Sequence, residues 1–269
     1  MKLCRFQPQI VSSEKIGATK QSGISTHPEV LQGVISGETV REVSGDIFGK
    51  WEVTSRSWPL SSVKLLPPVV PSKIVCVGRN YREHAAEFNN PVPQEPIIFL
   101  KPPSSLLAPG DPIVRPSEVK RVDYEGELAV ILSRECSQLR DGDDVTPYIA
   151  GYTCLNDISA RDYQSLDKTW TRAKGFDTFC PLGPWIETEL DAGNASVESR
   201  LNGKVMQRSD TSLLINSIPR LVEFVSRVMT LLPGDVITTG TPSGIGPMQS
   251  GDTVEIEVGG IGILSNTVR

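Results

Sequence analysis

The sequence has little of what zinc, disulfide and histidine-rich sites are built from. Its 269 residues include only two histidines, His27 and His84, and five scattered cysteines with no Cys-x-x-Cys pair. An odd, scattered set of cysteines predicts neither a disulfide framework nor a zinc site. We expect the cysteines to be reduced core residues, and any histidine chemistry is restricted to two positions.

Positive charge and long hydrophobic runs are also scarce. Lys and Arg number 27 against 32 Asp and Glu, a net charge of −5, and the chain contains no basic run. Nucleic acid is therefore not expected as a partner. No apolar run approaches the roughly 18 residues of a membrane span, and the first residues lead into a polar stretch rather than a signal-peptide core. The sequence predicts a cytoplasmic protein with no membrane partner.

Turn-forming residues are abundant and separate many short apolar runs. The 23 Gly and 21 Pro predict a turn-rich, mostly β chain. Residues 1–70 predict a small N-terminal β domain with a hairpin around 36–38, and 71–269 form the second predicted domain. A helix is predicted from Ser217, with an apolar stripe that includes Val225 and Val228.

Two carboxylates stand at the start of an apolar run. Residues 122–132 read Val-Asp-Tyr-Glu-Gly-Glu and then Leu-Ala-Val-Ile-Leu, which predicts one buried strand. Side chains alternate along a strand, so Glu125 and Glu127 share a face. Like charges a few Å apart repel by on the order of 4 kcal/mol at an effective dielectric of about 20. The pair therefore needs a proton, a basic partner or a metal ion, unless both glutamates lie in solvent.

A histidine and a glutamate are spaced one turn apart on a predicted helix. His84 and Glu87 stand at i and i+3, where the carboxylate can orient a histidine that acts on water. The ordinary interpretation is a solvated polar helix face. The proline-rich residues 89–96 cannot hold a regular helix, so a mobile segment carrying the pair is a further hypothesis.

Other polar residues gather after the apolar residues 148–155. If a helix begins near Asn156, then Asp157, Arg161 and Gln164 fall on one face. Alternatively, Asp157 is an N-cap paired with Arg161. Lys174 lies among aromatic residues and is either a functional or a surface lysine.

Six motifs in order closely resemble those of the fumarylacetoacetate hydrolase family over roughly residues 72–269. They are V-G-R-N-Y-R-E-H-A-A-E, I-F-L-K-P-P-S-S, V-D-Y-E-G-E-L-A-V, A-G-Y-T-C-L-N-D-I-S-A-R-D, L-N-G-K-V-M-Q and P-G-D-V-I-T-T-G-T-P-S-G-I-G. The resemblance implies a mostly β roll with a few short helices, usually a homodimer, preceded here by the small N-terminal β domain of some bacterial members.

The resemblance also implies roles for individual residues. In that family the two glutamates of the E-x-E strand and the aspartate before S-A-R-D hold one Mg²⁺ or a similar ion such as Mn²⁺. These residues correspond to Glu125, Glu127 and Asp157, and oxygen ligands suit such an ion. The family's histidine and glutamate, on a segment that often orders over the substrate, correspond to His84 and Glu87. Arg161, Gln164 and Lys174 match polar substrate-side residues of the family, and Thr241 lies in its G-T-P loop and is also expected to bind substrate.

The leading hypothesis is hydrolysis of a carbon–carbon bond in an acylpyruvate, a 2,4-dioxo acid such as fumarylpyruvate. The ion would act as a Lewis acid. His84, oriented by Glu87, would deprotonate the attacking water, and Lys174 would help to stabilise the pyruvate enolate.

Related enolate chemistry supplies the alternatives. These are decarboxylation of oxaloacetate, and decarboxylation or isomerisation of unsaturated dicarboxylic acids in aromatic breakdown. Arg79, Tyr81 and Arg82 could meet the second carboxylate of such substrates, and the alternative is that they lie in solvent. More remote are a protein that binds metal or a small acid without turnover, and a nucleotide-dependent enzyme built on the glycine-rich residues 241–246. The latter lack the lysine of a P-loop.

Overall fold

Strands dominate the chain, which confirms the predicted mostly β class with a few short helices. The computed structural model describes residues 1–9, 29–87, 89 and 91–269, so His27 lies outside the described residues. The strands of the first 70 residues are β1 Lys2–Pro8, β2 Leu31–Ser36, β3 Thr39–Gly45, β4 Trp51–Pro59 and β5 Val63–Leu66. The later strands are β6 Ile74–Gly78, β7 Ile97–Lys101, β8 Leu106–Leu107, β9 Val122–Tyr124, β10 Gly126–Leu132, β11 Ile149–Asn156, β12 Ser159–Ala160, β13 Cys180–Glu187, β14 Ser196–Leu201, β15 Lys204–Asp210, β16 Val236–Thr238, β17 Gly246–Pro247, β18 Thr253–Val258 and β19 Gly262–Thr267.

The helices are few and short. Within the described ranges the α-helices are α1 Arg82–Glu87, α2 Arg161–Leu166, α3 Thr171–Lys174 and α4 Ile218–Val228. Single 3₁₀ turns occupy Leu60–Ser62, Pro103–Ser105, Thr146–Tyr148 and Thr211–Leu213. Among the residues that the structure describes, every helix is too short or too polar to span a membrane.

Three sheets enclose the core. Twelve strands form the largest, in the order β4-β3-β2-β1-β13-β11-β10-β16-β6-β7, with β5 beside β1 and β8 beside β13. The others are β12-β9-β17 and β15-β14-β18-β19. Every residue of β10 is buried, as its continuous apolar sequence predicts for a central strand. The main core joins β10 to β18 and α4.

The N-terminal strands are continuous with the largest sheet. The hairpin predicted around 36–38 is confirmed by the pairing of β2 with β3. β1 pairs with β13 as well as with β2, so hydrogen bonds link residues 1–70 to the rest of the chain. The division into domains at residue 70 stays a prediction. The five cysteines are buried and unpaired, as expected.

Two predicted elements around the acidic residues are wrong. The expected single strand over 122–132 is divided at Glu125 into β9 and β10, which belong to different sheets. The reason is a contact between residues distant in sequence: the Glu125 N–H donates to the side-chain oxygen of Asn156 on β11 (2.9 Å) instead of to a ladder carbonyl. No helix begins near Asn156, which ends β11, and Asp157 is not an N-cap; α2 begins only at Arg161.

The stripe predicted on α4 is correct except at its end. Ile218, Leu221, Val222 and Val225 are buried, whereas Val228 is 55% exposed. Val228 is the last residue of the helix, and the backbone at Met229 is extended. Because the helix ends at Val228, no further helical turn follows to pack this side chain against the core.

Three neighbouring strands of the largest sheet have ends that lie next to one another. β16 is antiparallel to β10 and parallel to β6. The start of β10, the end of β16 and the end of β6 consequently lie side by side. These ends lead to Glu127, to the loop at 239–246 and to α1, and they define the location of the site.

Candidate active site

Three buried carboxylates meet where β10 and β11 pair. The register sets Gly126 opposite Asn156, which places the next residue, Asp157, beside Glu125. Its N–H donates to the Glu125 carbonyl (2.9 Å). One carboxylate oxygen from each of Glu125, Glu127 and Asp157 lies within 4.8 Å of the others. The structure thus brings together all three predicted metal ligands.

Two buried lysines bind these carboxylates. Lys174 Nζ donates to Glu125 Oε2 and to Asp157 Oδ2, each at 2.6 Å. Lys101 Nζ donates to Asp157 Oδ1 at 2.6 Å. The surface interpretation of Lys174 is therefore wrong, because the residue is only 2% exposed. Buried ammonium groups of this kind require anionic partners, and the carboxylates supply them.

Lys101 is a site residue that the sequence interpretation missed. It ends β7 in the I-F-L-K-P-P motif and is 1% exposed. A lysine that closes an apolar strand is usually assigned to the surface. The available signal was its position between Leu100 and two prolines, where neither a helix nor a continued central strand can follow.

Arg161 connects the carboxylates to a second acidic residue. Its guanidinium donates to Glu125, to Asp123 Oδ2 (2.9 Å) and to Gln164 Oε1 (2.8 Å). Arg121 also binds Asp123 (2.9 Å). Arg161 is therefore oriented by acidic residues rather than paired with Asp157, and Asp123 is a second residue that the sequence interpretation missed.

The protonation behaviour of the two glutamates differs because their partners differ. Burial alone would raise the pKa of Glu125, but the positive charges of Lys174 and Arg161 outweigh burial and hold this pKa below its usual range. Burial raises the pKa of Glu127 well above its usual value, and the charges of Asp157 and Glu125 raise it further. Glu127 is thus the carboxylate that lacks compensation.

The contacts of Glu127 fit a bound cation. Its Oε2 accepts from the Gly240 N–H (2.8 Å), and no lysine or arginine among the described residues forms an ion pair with it. Three buried carboxylates with one uncompensated charge form an oxygen donor set that suits Mg²⁺ or Mn²⁺, with water or substrate completing the coordination. The residues present therefore fit the metal that the family resemblance implies.

A small cavity opens onto the carboxylates and collects most of the predicted substrate residues. Its volume is about 200 Å³. Besides the three carboxylates, its lining includes Arg79, His84, Arg161, Gln164, Lys174 and Thr241. Phe99 and Trp170, which the sequence interpretation did not select, form an aromatic wall with ring centroids 5.0 Å apart.

The predicted histidine–glutamate pair is formed and held against the cavity. His84 Nδ1 and Glu87 Oε2 are 2.9 Å apart. The other Glu87 oxygen accepts from the Gly244 N–H at 2.7 Å, so Glu87 connects His84 to the loop at 239–246. His84 is only 8% exposed; the alternative of a solvated helix face is therefore wrong for this histidine.

Tyr81 is placed outside this cavity. It lines a second cavity of about 460 Å³ with Arg82 and Ser243. Burial raises the pKa of its hydroxyl, and that hydroxyl has no hydrogen-bond partner within the described residues. A contact between Tyr81 and substrate stays a prediction.

Comparison with known proteins agrees with these motifs and this geometry. Residues 73–269 match the family described as fumarylacetoacetate (FAA) hydrolase C-terminal. The chain belongs to the fumarylacetoacetate hydrolase family. Residues 24–68 match a family described as Rv2993c-like, N-terminal.

Relatives of this family member carry several enzyme names. The solved structure of 5-carboxymethyl-2-hydroxymuconate delta-isomerase from Mycobacterium smegmatis is 45% identical, with a TM-score of 0.86, and the match covers 100% of this chain and 99% of that one. The structure of 2-hydroxyhepta-2,4-diene-1,7-dioate isomerase from Mycobacterium marinum is 42% identical, also with a TM-score of 0.86, covering 100% and 98%. The rat (Rattus norvegicus) protein named oxaloacetate tautomerase Fahd2a, mitochondrial, is 41% identical over 222 residues, 78% of this chain and 71% of that protein.

The uncompensated Glu127 generates a prediction about metal and stability. Because the raised pKa means that the ionised carboxylate opposes folding at neutral pH, Glu127→Gln should raise the melting temperature of the metal-free protein. A gain of about 1 kcal/mol corresponds to roughly 2–4 °C for a chain of comparable size. The same substitution should abolish the rise in melting temperature that Mg²⁺ or Mn²⁺ causes in the wild type.

Thermal unfolding with and without each ion measures both effects. Glu223→Gln is the matched control, since Glu223 is also a buried carboxylate that accepts a backbone N–H (2.9 Å), but on α4. It should keep the metal-induced rise. A Glu127→Gln variant that is stabilised by Mg²⁺ as strongly as the wild type would contradict the assignment of Glu127 as a ligand.

Proposed function

We propose that the chain is a metal-dependent enzyme that transfers a proton at C3 of a small 2-oxo diacid, with oxaloacetate as the representative substrate. The observation that carries the proposal is that His84 and the three carboxylates line the same cavity. In this proposal His84 is the proton acceptor and the three carboxylates hold the ion, and enolisation of a 2-oxo acid needs both beside one another.

The size of the cavity favours a short substrate. Pockets for drug-sized ligands range from roughly 300 to 1,000 Å³, whereas this one holds about 200 Å³. A four-carbon acid suits this space better than a long unsaturated acid. The name of the rat relative, oxaloacetate tautomerase, supports the same choice.

Arg79 favours a second carboxylate on the substrate. It lines the cavity, and its side chain has no hydrogen-bond or ion-pair partner among the described residues, whereas Arg161 is held by Asp123 and Glu125. Arg79 also adopts a left-handed backbone conformation (φ 57°). Such a conformation is uncommon outside glycine and is often found at functional sites.

The side-chain amide of Gln164 can donate a hydrogen bond to a substrate in the cavity. Arg161 can only donate, so the Gln164 oxygen must face it (2.8 Å). The amide nitrogen is thereby directed away from Arg161. In the cavity, this N–H group suits a carboxylate or carbonyl oxygen of the substrate.

The reaction assigns distinct tasks to the chain's residues. A divalent ion at this site would polarise the C2 carbonyl and make the C3 protons more acidic. His84 takes the C3 proton and delivers it to the C2 oxygen, which converts the keto form to the enol, and the reverse transfer converts the enol back to the keto form. Glu87 holds the opposite ring nitrogen (2.9 Å) and stabilises the imidazolium between the two transfers. Lys174 keeps Glu125 and Asp157 oriented with its 2.6 Å bonds, and its positive charge favours an anionic intermediate.

Hydrolysis of an acylpyruvate is the second candidate. The His84–Glu87 pair is the observation that favours it, because a histidine oriented by a carboxylate can equally deprotonate water. The products separate the candidates: hydrolysis of acetylpyruvate yields pyruvate and acetate, whereas proton transfer in oxaloacetate yields no new acid. Decarboxylation of oxaloacetate is recognised by release of pyruvate.

The first test uses purified wild type with Mg²⁺, with and without chelator. Decay of enol-oxaloacetate absorbance, pyruvate release and acetate release are followed in parallel. His84→Ala should lower kcat by about 10²- to 10⁴-fold, because it removes the proton acceptor. The metal-induced rise in melting temperature should persist, since His84 is not among the three carboxylates. Equal loss of turnover and metal binding would contradict this division of roles.

The second test concerns Arg79. Arg79→Met keeps much of the side-chain length and removes the charge, so KM for oxaloacetate should rise by about tenfold, given that a hydrogen bond to a charged group contributes about 1.5 kcal/mol or more. Acetylpyruvate, which has a single carboxylate, should inhibit turnover of oxaloacetate with little change in its inhibition constant. An equal weakening of both acids would contradict recognition of the second carboxylate by Arg79.

Assembly and location stay predictions. We expect the homodimer that the family resemblance implies, and sedimentation measurements would detect it. The cytoplasmic location expected from the sequence also stays a prediction. The name of the rat relative places that protein in mitochondria.

A further inference from the structure

Gln207 on β15 has a fully bonded and fully buried side-chain amide. Its Oε1 accepts from the Gly126 N–H (3.0 Å) and from Ser199 Oγ (2.8 Å). Its Nε2 donates to Thr241 Oγ1 (2.8 Å) and to the Pro242 carbonyl (2.7 Å). Because Gly126 N can only donate and Pro242 O can only accept, the orientation of the amide is fixed.

These partners belong to two parts of the site. Gly126 separates the predicted ligands Glu125 and Glu127, so the oxygen of Gln207 is bonded to the start of β10 between these two carboxylates. Thr241 and Pro242 belong to the loop at 239–246, so the nitrogen is attached to that loop. Gln207 therefore ties the loop to the start of β10.

The same loop holds α1. Gly244 N donates to Glu87 Oε1 at 2.7 Å, and Ser243 Oγ donates to Glu83 Oε2 at 3.2 Å. Gly244 also lies directly on β15: a Cβ there would be 2.2 Å from the Met206 carbonyl oxygen, and its φ is +98°. A residue other than glycine would push the loop off β15.

We propose that Gln207 is a positioning residue for the His84–Glu87 pair. It fixes the loop, the Gly244 N–H fixes the Glu87 carboxylate, and Glu87 fixes the imidazole of His84. Gln207 itself does not line the cavity, so it acts through these groups rather than on the substrate. The catalytic consequence rests on the proposed function, whereas the structural consequence does not.

Gln207→Glu tests this chain of contacts with little change of shape. An ionised carboxylate cannot donate to the Pro242 carbonyl, so the loop loses a buried hydrogen bond and faces a like partial charge. Hydrogen–deuterium exchange of the amides in 82–87 should accelerate by about tenfold, the effect of one unsatisfied buried group. In the presence of Mg²⁺, kcat should fall by about 10²-fold, with KM for oxaloacetate within about threefold of wild type, because Gln207 does not contact Arg79, Gln164 or the three carboxylates.

A double-mutant cycle separates positioning from general damage. If Gln207 acts through Glu87, then adding Gln207→Glu to Glu87→Gln should lower kcat little beyond the single Glu87→Gln change, since residues on one path are not additive. Additive losses would overturn the proposal. Gln207→Met, which removes the hydrogen bonds without adding charge, should reproduce the exchange and kcat effects and serves as the second variant if Gln207→Glu does not fold.

Asn266→Asp is the matched control. Asn266 is 2% exposed, and its amide donates to the carbonyls of Ala108 (2.9 Å) and Asp111 (2.8 Å) on another part of the fold. It should leave both kcat and exchange at 82–87 unchanged. Equal acceleration in this control, or none in either Gln207 variant, would overturn the proposal. If exchange at 82–87 is faster in the Gln207 variants but the wild type turns over none of the tested acids, the positioning role is supported and the proposed function is contradicted.

Discussion

The structure depends on one electrostatic constraint: three carboxylates lie within 4.8 Å of one another, away from solvent. Charges so placed require compensation. Compensation comes from cations at the ends of separate elements, Lys101 on β7, Lys174 on α3 and Arg161 on α2. Elements distant in sequence are thereby drawn to one point. The negative charge of Glu127 remains without a cationic partner among the described residues, so the site still needs one positive charge.

The loop at 239–246 connects this charged centre to the His84–Glu87 pair. One of its N–H groups, on Gly240, binds Glu127 (2.8 Å), and another, on Gly244, binds Glu87 (2.7 Å). Glu127 and Glu87, the partner of His84, are therefore held by the same few residues of backbone. This arrangement keeps His84 at a constant position relative to the three carboxylates, and the proposed catalysis depends on that orientation.

Local sequence patterns predicted which side chains come together at the site better than they predicted the strands and helices that carry these side chains. Alternation correctly placed Glu125 and Glu127 on one side, and the one-turn spacing correctly paired His84 with Glu87. The helix expected near Asn156 was wrong because the Asn156 side chain bonds Glu125 N and Asp157 N bonds Glu125 O, contacts set by strand register rather than by neighbouring residues. Lys101 escaped prediction for the same reason: its partner Asp157 is 56 residues away, and only the assembled sheet brings them together.

Binding of a cation by the three carboxylates is tested most directly with crystals grown or soaked with Mn²⁺ and measured for anomalous scattering. We expect one strong peak that contacts a carboxylate oxygen of each of Glu125, Glu127 and Asp157, at a distance near the roughly 2.1 Å expected for a small divalent ion. Full Mn²⁺ occupancy elsewhere, with the three carboxylates contacting only Lys101, Lys174 and Arg161, would contradict it.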